Sequence, residues 1–120
     1  MGFLWTTIHV SNMESSLAFY RDIVGLPMNR RMNAGHGTEI AFLGDDETKV
    51  ELLCAPGQGG EGFGKGISLG FEVESVDGKL AFLREKGVSV YRAPVMPNPH
   101  IRFFYIPDPD GLEIQFVEQM

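Results

Sequence analysis

The sequence predicts an α+β fold built from two copies of one module, each a strand, a helix and three strands. Three observations carry this. With Val10 laid on Val73, Leu17 meets Leu80, Ala18 meets Ala81, Phe19 meets Phe82 and Arg21 meets Arg84. Asp22 then meets Glu85, and a slip of one residue brings Gly25 onto Gly87. The end of each half matches too, Val50-Glu51-Leu52 against Ile114-Gln115-Phe116, and a glycine-rich stretch at 56–66 separates the halves. A repeated supersecondary unit implies two like modules. The expected layout is one domain over 1–120, with modules at about 3–55 and 67–118 joined through 56–66.

Residues 3–10 open the first module with Phe, Trp, Thr, Ile and Val, side chains that fit a pleated surface. Alternation sets Trp5, Thr7 and His9 on one face against Thr6, Ile8 and Val10 on the other. Ser11 or Asn12 can cap the following helix, whose apolar stripe is Leu17, Tyr20, Ile23 and Val24. Gly25 ends it, with Pro27 just beyond. Strands are expected at 26–33, 39–43 and 49–53, with turns at 33–37 and 44–47. In the last of these strands Val50 and Leu52 oppose Lys49, Glu51 and Leu53.

The second module repeats the plan. A strand at 67–73 sets Leu69, Phe71 and Val73 against Ser68, Gly70 and Glu72. Ser75 or Asp77 caps a helix carrying Leu80 and Leu83, and Gly87 stops it. A strand is expected at 88–92, followed by a stiff loop at 93–99 that holds three prolines. Strands at 102–106 and 112–118 are joined by Pro107-Asp108-Pro109-Asp110-Gly111, whose chemistry demands a turn.

Composition excludes several classes of function. A net charge of −6, with Arg30-Arg31 the only adjacent basic pair, leaves no footprint for a nucleic-acid backbone. No apolar run approaches the ~20 residues that span a bilayer, and residues 1–20 carry no secretory pattern. Cys54 is the sole cysteine and sits in an apolar run, so a buried thiol in a reducing, cytoplasmic setting is expected.

Each helix must cover the apolar face of its own strands, the face of Ile8 and Val10 and that of Leu69, Phe71 and Val73. The opposite face then carries Trp5, Thr7, His9, Glu51, Ser68, Glu72 and Gln115. Such a face is either solvated or the lining of a cleft, and a large aromatic among polar groups favours the cleft. Its acidic members, Glu51 and Glu72, would suit a cationic or donor-rich ligand.

The run Ser16-Leu17-Ala18-Phe19-Tyr20-Arg21-Asp22 through Gly25-Leu26 resembles the vicinal-oxygen-chelate superfamily, as do Val50-Glu51-Leu52 and Asp108-Pro109-Asp110-Gly111 leading to Gln115. That superfamily includes glyoxalase I (lactoylglutathione lyase), extradiol dioxygenases, and fosfomycin- and bleomycin-resistance proteins. The resemblance implies βαβββ modules whose mixed sheets form a half-open barrel. It also implies a small-molecule ligand in the concave face and a homodimer. The family's metal enzymes take a His or Gln from the first strand of each module and a Glu from the last. The matching positions are Trp5 and Glu51, then Ser68 and Gln115. Trp5 offers no metal donor and a lone Ser hydroxyl is a poor ligand for zinc or nickel, so no metal ligand set and no cofactor are expected. Glu51 could still act as a base or a ligand, with zinc or nickel the metals such a site would take. His9 lies about 13 Å along an extended strand from Trp5. It matches a position where glyoxalase I carries a glutathione-binding Arg, which implies a polar lining group. The resemblance therefore implies Glu51 and Gln115 as candidate catalytic residues and Trp5, Thr7, His9, Ser68 and Glu72 as candidate ligand-binding residues.

Three functions remain open at this point. One is a glyoxalase I-like lyase acting on a thiol adduct of a small ketoaldehyde. Another is a metal-free ligand-sequestering protein of bleomycin-resistance type, and the third is a polar face that binds nothing.

Overall fold

The computed structural model describes residues 2–57, 67–90 and 92–120. The chain divides into two compact units, Met1–Gly62 and Phe63–Met120. Most of the expected joint at 56–66 lies outside the described residues.

The first unit contains strand β1 (Trp5–His9), helix α1 (Met13–Ala18) with a π-helical continuation over Phe19–Val24, and strands β2 (Met28–Gly35), β3 (Thr38–Leu43) and β4 (Lys49–Cys54). Its sheet runs β1-β4-β3-β2; the β1–β4 pair is parallel and the other two are antiparallel. Parallel neighbours need a long crossover, which α1 and the β2–β3 hairpin supply. Between α1 and the sheet lie Ile8, Val10, Leu17, Tyr20, Leu43, Val50 and Leu52, all buried. Each such side chain contributes roughly 1.5–3 kcal/mol on leaving water. On the helix side of the sheet Arg31 bonds Glu39 of β3 and Glu14 of α1, and these hydrogen bonds raise its pKa.

Asn12, rather than Ser11, makes the cap: its side chain accepts from Ser15 N at 3.0 Å. At the other end Gly25 takes a left-handed φ of 96°, and both Gly25 N and Leu26 N donate to Tyr20 O, at 3.1 and 2.9 Å. The bond from residue 25 to residue 20 is a π turn, which closes over one residue more than an α turn. This explains the one-residue slip in the repeat. The first module carries an extra residue before its terminal glycine, and the helix absorbs it without moving Leu17 or Tyr20 from the core.

The second unit contains strand β5 (Ser68–Glu72), helix α2 (Val76–Glu85), and strands β6 (Val95–Asn98), β7 (Ile101–Pro107) and β8 (Glu113–Gln119). Its sheet repeats the topology as β5-β8-β7-β6, again with the outer helix-linked pair, β5–β8, parallel. Ser75 caps α2 by accepting from Gly78 N, and Glu118 of β8 accepts from Val76 N at 2.7 Å. The core is Val76, Leu83, Phe104, Ile106, Ile114 and Phe116, with the two Phe rings 5.4 Å apart. Leu69, Phe71 and Val73 reach only half-burial. The β7–β8 turn is built by Asp108, which is 5% exposed and accepts from Asp110 N and Leu112 N, each at 2.9 Å.

One expected strand is misplaced. The described residues of 88–92 are not in a strand, and the stretch expected as a stiff loop holds β6 instead. Val88 and Val90 alternate as a strand would, but their side chains line a depression with Leu80 and Arg84 of α2. β6 is an edge strand paired only with β7, where Pro97 loses nothing by lacking an N–H.

Candidate functional site

Cross-strand partners share a sheet face, so the register fixes what surrounds each candidate residue. In the first unit Trp5 pairs with Lys49, Thr7 with Glu51 and His9 with Leu53, while Phe42 pairs with Glu51 and Arg30 with Phe42. The face away from α1 therefore carries Trp5, Thr7, His9, Lys49, Glu51, Phe42 and Arg30. All four candidate residues of this unit share it. Thr7 and Glu51 are brought into contact, with the Thr7 hydroxyl donating to Glu51 Oε1 at 2.5 Å. Glu51 is only 9% exposed although it lies on the open face, because Thr7 and Phe42 flank it. Phe42 is itself buried, with the Trp5 ring edge-on at 5.1 Å and the Arg30 guanidinium 5.0 Å from its centroid.

The second unit repeats this pattern with other chemistry. Ser68 pairs with Glu113, Gly70 with Gln115, Glu72 with Val117, and Tyr105 with Gln115. Gly70 thus occupies Thr7's place, and Tyr105 occupies Phe42's. Gln115 Nε2 donates to the Tyr105 hydroxyl at 3.0 Å, so its amide is oriented by a neighbour as Glu51 is by Thr7. A Cβ on Gly70 would sit 3.1 Å from Gln115 Oε1, which makes glycine the residue that leaves that carbonyl room. Glu72 lines a depression of about 340 Å³ with Gly70, Phe71, Val117 and Gln119. Ser68 is exposed at the start of β5.

Phe42, Arg30, Lys49 and Tyr105 were not among the candidates. The cross-strand register puts Phe42 and Tyr105 on the open face and brings them against Glu51 and Gln115.

The model of the glyoxalase/bleomycin resistance protein/dioxygenase superfamily matches residues 2–116. The chain belongs to this superfamily. Among its relatives is a probable lactoylglutathione lyase of Synechocystis, 32% identical, with 98% of this chain and 95% of that protein covered. The lactoylglutathione lyase of Haemophilus influenzae is 30% identical over 98% of this chain and 93% of its own length. Two solved structures show the same fold. The trypanothione-dependent glyoxalase I of Leishmania major has a TM-score of 0.81 at 23% identity, covering 98% of this chain and 86% of that one. An antibiotic-binding protein from Streptomyces has a TM-score of 0.76 at 22% identity, covering 100% and 97%. The repeated module and mixed four-stranded sheets are thus the glyoxalase fold.

The superfamily's metal can be tested against the donors present. At the four matching positions the side chains are an indole, a carboxylate, a hydroxyl and a primary amide. The Trp5 indole N–H has no lone pair to give and the Ser68 hydroxyl is a weak ligand, which leaves the Glu51 carboxylate and Gln115 Oε1, two oxygen donors, where a zinc or nickel centre takes at least three protein ligands. Among the described residues no three His, Cys, Asp or Glu side chains are grouped to hold an ion. This donor set does not fit a zinc or nickel centre. No helix among the described residues is long and apolar enough to cross a membrane.

Proposed function

We propose that this member of the superfamily binds a small molecule on the open sheet face without the usual metal centre. The reading rests on one observation: the first-strand ligand positions of both modules, Trp5 and Ser68, carry side chains unfit for zinc or nickel. In place of a metal donor the first unit presents an aromatic wall, Trp5 against Phe42, beside a carboxylate that Thr7 holds in place. An apolar surface with a few fixed polar groups is what a small-molecule site needs. In this proposal Thr7 and His9 are polar lining groups of the first unit's open face, and Ser68, Glu72 and Gln115 are those of the second unit's. Phe3 and Leu4 are 65% and 61% exposed, which supports a homodimer with a second copy against that end of the first unit.

A second reading is lactoylglutathione lyase activity, favoured by the names of the relatives from Synechocystis and Haemophilus. Glu51 would then be the base that takes a proton from the substrate carbon, its carboxylate oriented by Thr7. The test is turnover of the methylglyoxal–glutathione adduct by protein supplied with nickel or zinc. Metal-free binding is supported by no turnover above the uncatalysed rate. Turnover that disappears in Glu51→Gln establishes the lyase instead.

A further inference from the structure

We propose that the ligand bound by the first unit is a flat aromatic molecule carrying one carboxylate. This deepens the function proposed above and rests on it. The site is a depression of about 400 Å³ lined by Leu4, Trp5, Asn29, Arg30, Phe42, Glu47 and Lys49. That volume is in the range that holds small ligands.

Comparing the two units shows why an anion is wanted. In the second unit Arg92 lies over the Tyr105 ring at 4.9 Å and bonds Glu113 at 3.1 Å. The first unit repeats the arginine over the ring, as Arg30 over Phe42 at 5.0 Å. Glu113 faces Ser68 across the β5–β8 pair, and the residue facing Trp5 across the matching β1–β4 pair is Lys49. The carboxylate that neutralises the arginine in one unit is thus replaced by a second cation in the other. The ion pairs among the described residues join Arg31, Arg92 and Arg102 to acids, and neither Arg30 nor Lys49 takes part in one. Among the described residues Lys49 Nζ donates to the backbone oxygen of Asp46, at 3.0 Å.

Two cations with Glu47 in the same lining leave one unit of positive charge, which matches a carboxylate better than a doubly charged phosphate monoester. Guanidinium is well shaped for a carboxylate. The Trp5 ring, 44% exposed and standing edge-on to Phe42, supplies a free aromatic surface for a planar body. Glu51 shares the sheet face but is not among the residues that line the depression.

Trp5 is the only tryptophan, so its indole N–H gives a single reporter signal in ¹⁵N-labelled protein. The experiment titrates that signal with benzoate, benzylamine and benzyl alcohol at constant ionic strength and neutral pH. Benzoate is expected to shift it saturably and to bind about tenfold tighter than either other probe, one charge-assisted bond's worth. Arg30→Gln should weaken benzoate about tenfold and leave benzyl alcohol unchanged. Lys49→Gln should weaken benzoate alone as well, and stands in if the Arg30 variant does not fold. Benzylamine binding as tightly as benzoate would overturn the carboxylate assignment while leaving a small-molecule site intact. Benzoate binding unmoved by both substitutions, or no shift with any probe, would also overturn it. The metal and turnover assay judges the underlying function independently of these outcomes.

Discussion

Thr7 and Glu51 offer the sharpest test of how the open face is built. Thr7→Val removes the hydroxyl that donates to a carboxylate only 9% exposed, and preserves the shape of the β-branched side chain. A hydrogen bond to a charged group contributes about 1.5–3 kcal/mol, and removing the donor leaves the acceptor to pay its desolvation. Thr7 is exposed, so water reaches the vacated side of Glu51 and the lower end applies, about 1.5 kcal/mol. Replacing Glu51 by Leu removes the buried acceptor, and in that background Thr7→Val should cost no more than about 0.5 kcal/mol. The double-mutant cycle therefore predicts a coupling of about 1 kcal/mol from urea unfolding at neutral pH. A coupling below about 0.3 kcal/mol would refute the idea that Thr7 holds Glu51 in place.

Other substitutions read other parts of the fold. Asp108→Ala leaves two backbone N–H groups of the β7–β8 turn without their acceptor and should cost about 2–4 kcal/mol in urea unfolding. Ser16 is fully buried in α1, and its hydroxyl finds no partner among the described residues. Ser16→Ala should therefore be neutral or raise the melting temperature, and a clear drop would reveal a missed partner. Burial against the Phe82 and Phe116 rings lowers the pKa of Lys79. A base whose pKa is lower folded than unfolded binds fewer protons when folded, so stability rises with pH from the folded value up to the unfolded one. Lys79→Met should lose that part of the alkaline rise, seen by comparing the two proteins' unfolding free energies through the alkaline range.

Much of the fold was legible because its punctuation is local. Gly25 and Asp108-Pro109-Asp110-Gly111 each dictate a backbone conformation by their own chemistry, and both elements end where those residues stand. The repeat supplied what local signals lack, namely that β1 and β5 begin equivalent modules. Its one-residue slip was visible too, but nothing in the sequence says that a helix will absorb an extra residue as a π turn. The misplaced strand has a different cause. Val88 and Val90 satisfy a period of two, and only tertiary packing shows that they face α2 and not a sheet partner.

The candidate site was legible by face and not by contact. Alternation put Trp5, Thr7, His9 and Glu51 together correctly, since cross-strand neighbours keep the same parity. Which neighbour touches which depends on register between distant strands, and so the Thr7–Glu51 and Gln115–Tyr105 bonds could not be read in advance. The same holds for Arg30, an ordinary half of an Arg-Arg pair in sequence. In the sheet one arginine turns to α1 and the other lies over Phe42.

The most direct measurement is the metal content of purified protein after incubation with nickel and with zinc and removal of free ion. Binding without the usual metal centre predicts far less than one ion per chain for either metal, and no gain on raising the concentration. One tightly held ion per chain, lost in Glu51→Gln, would contradict it.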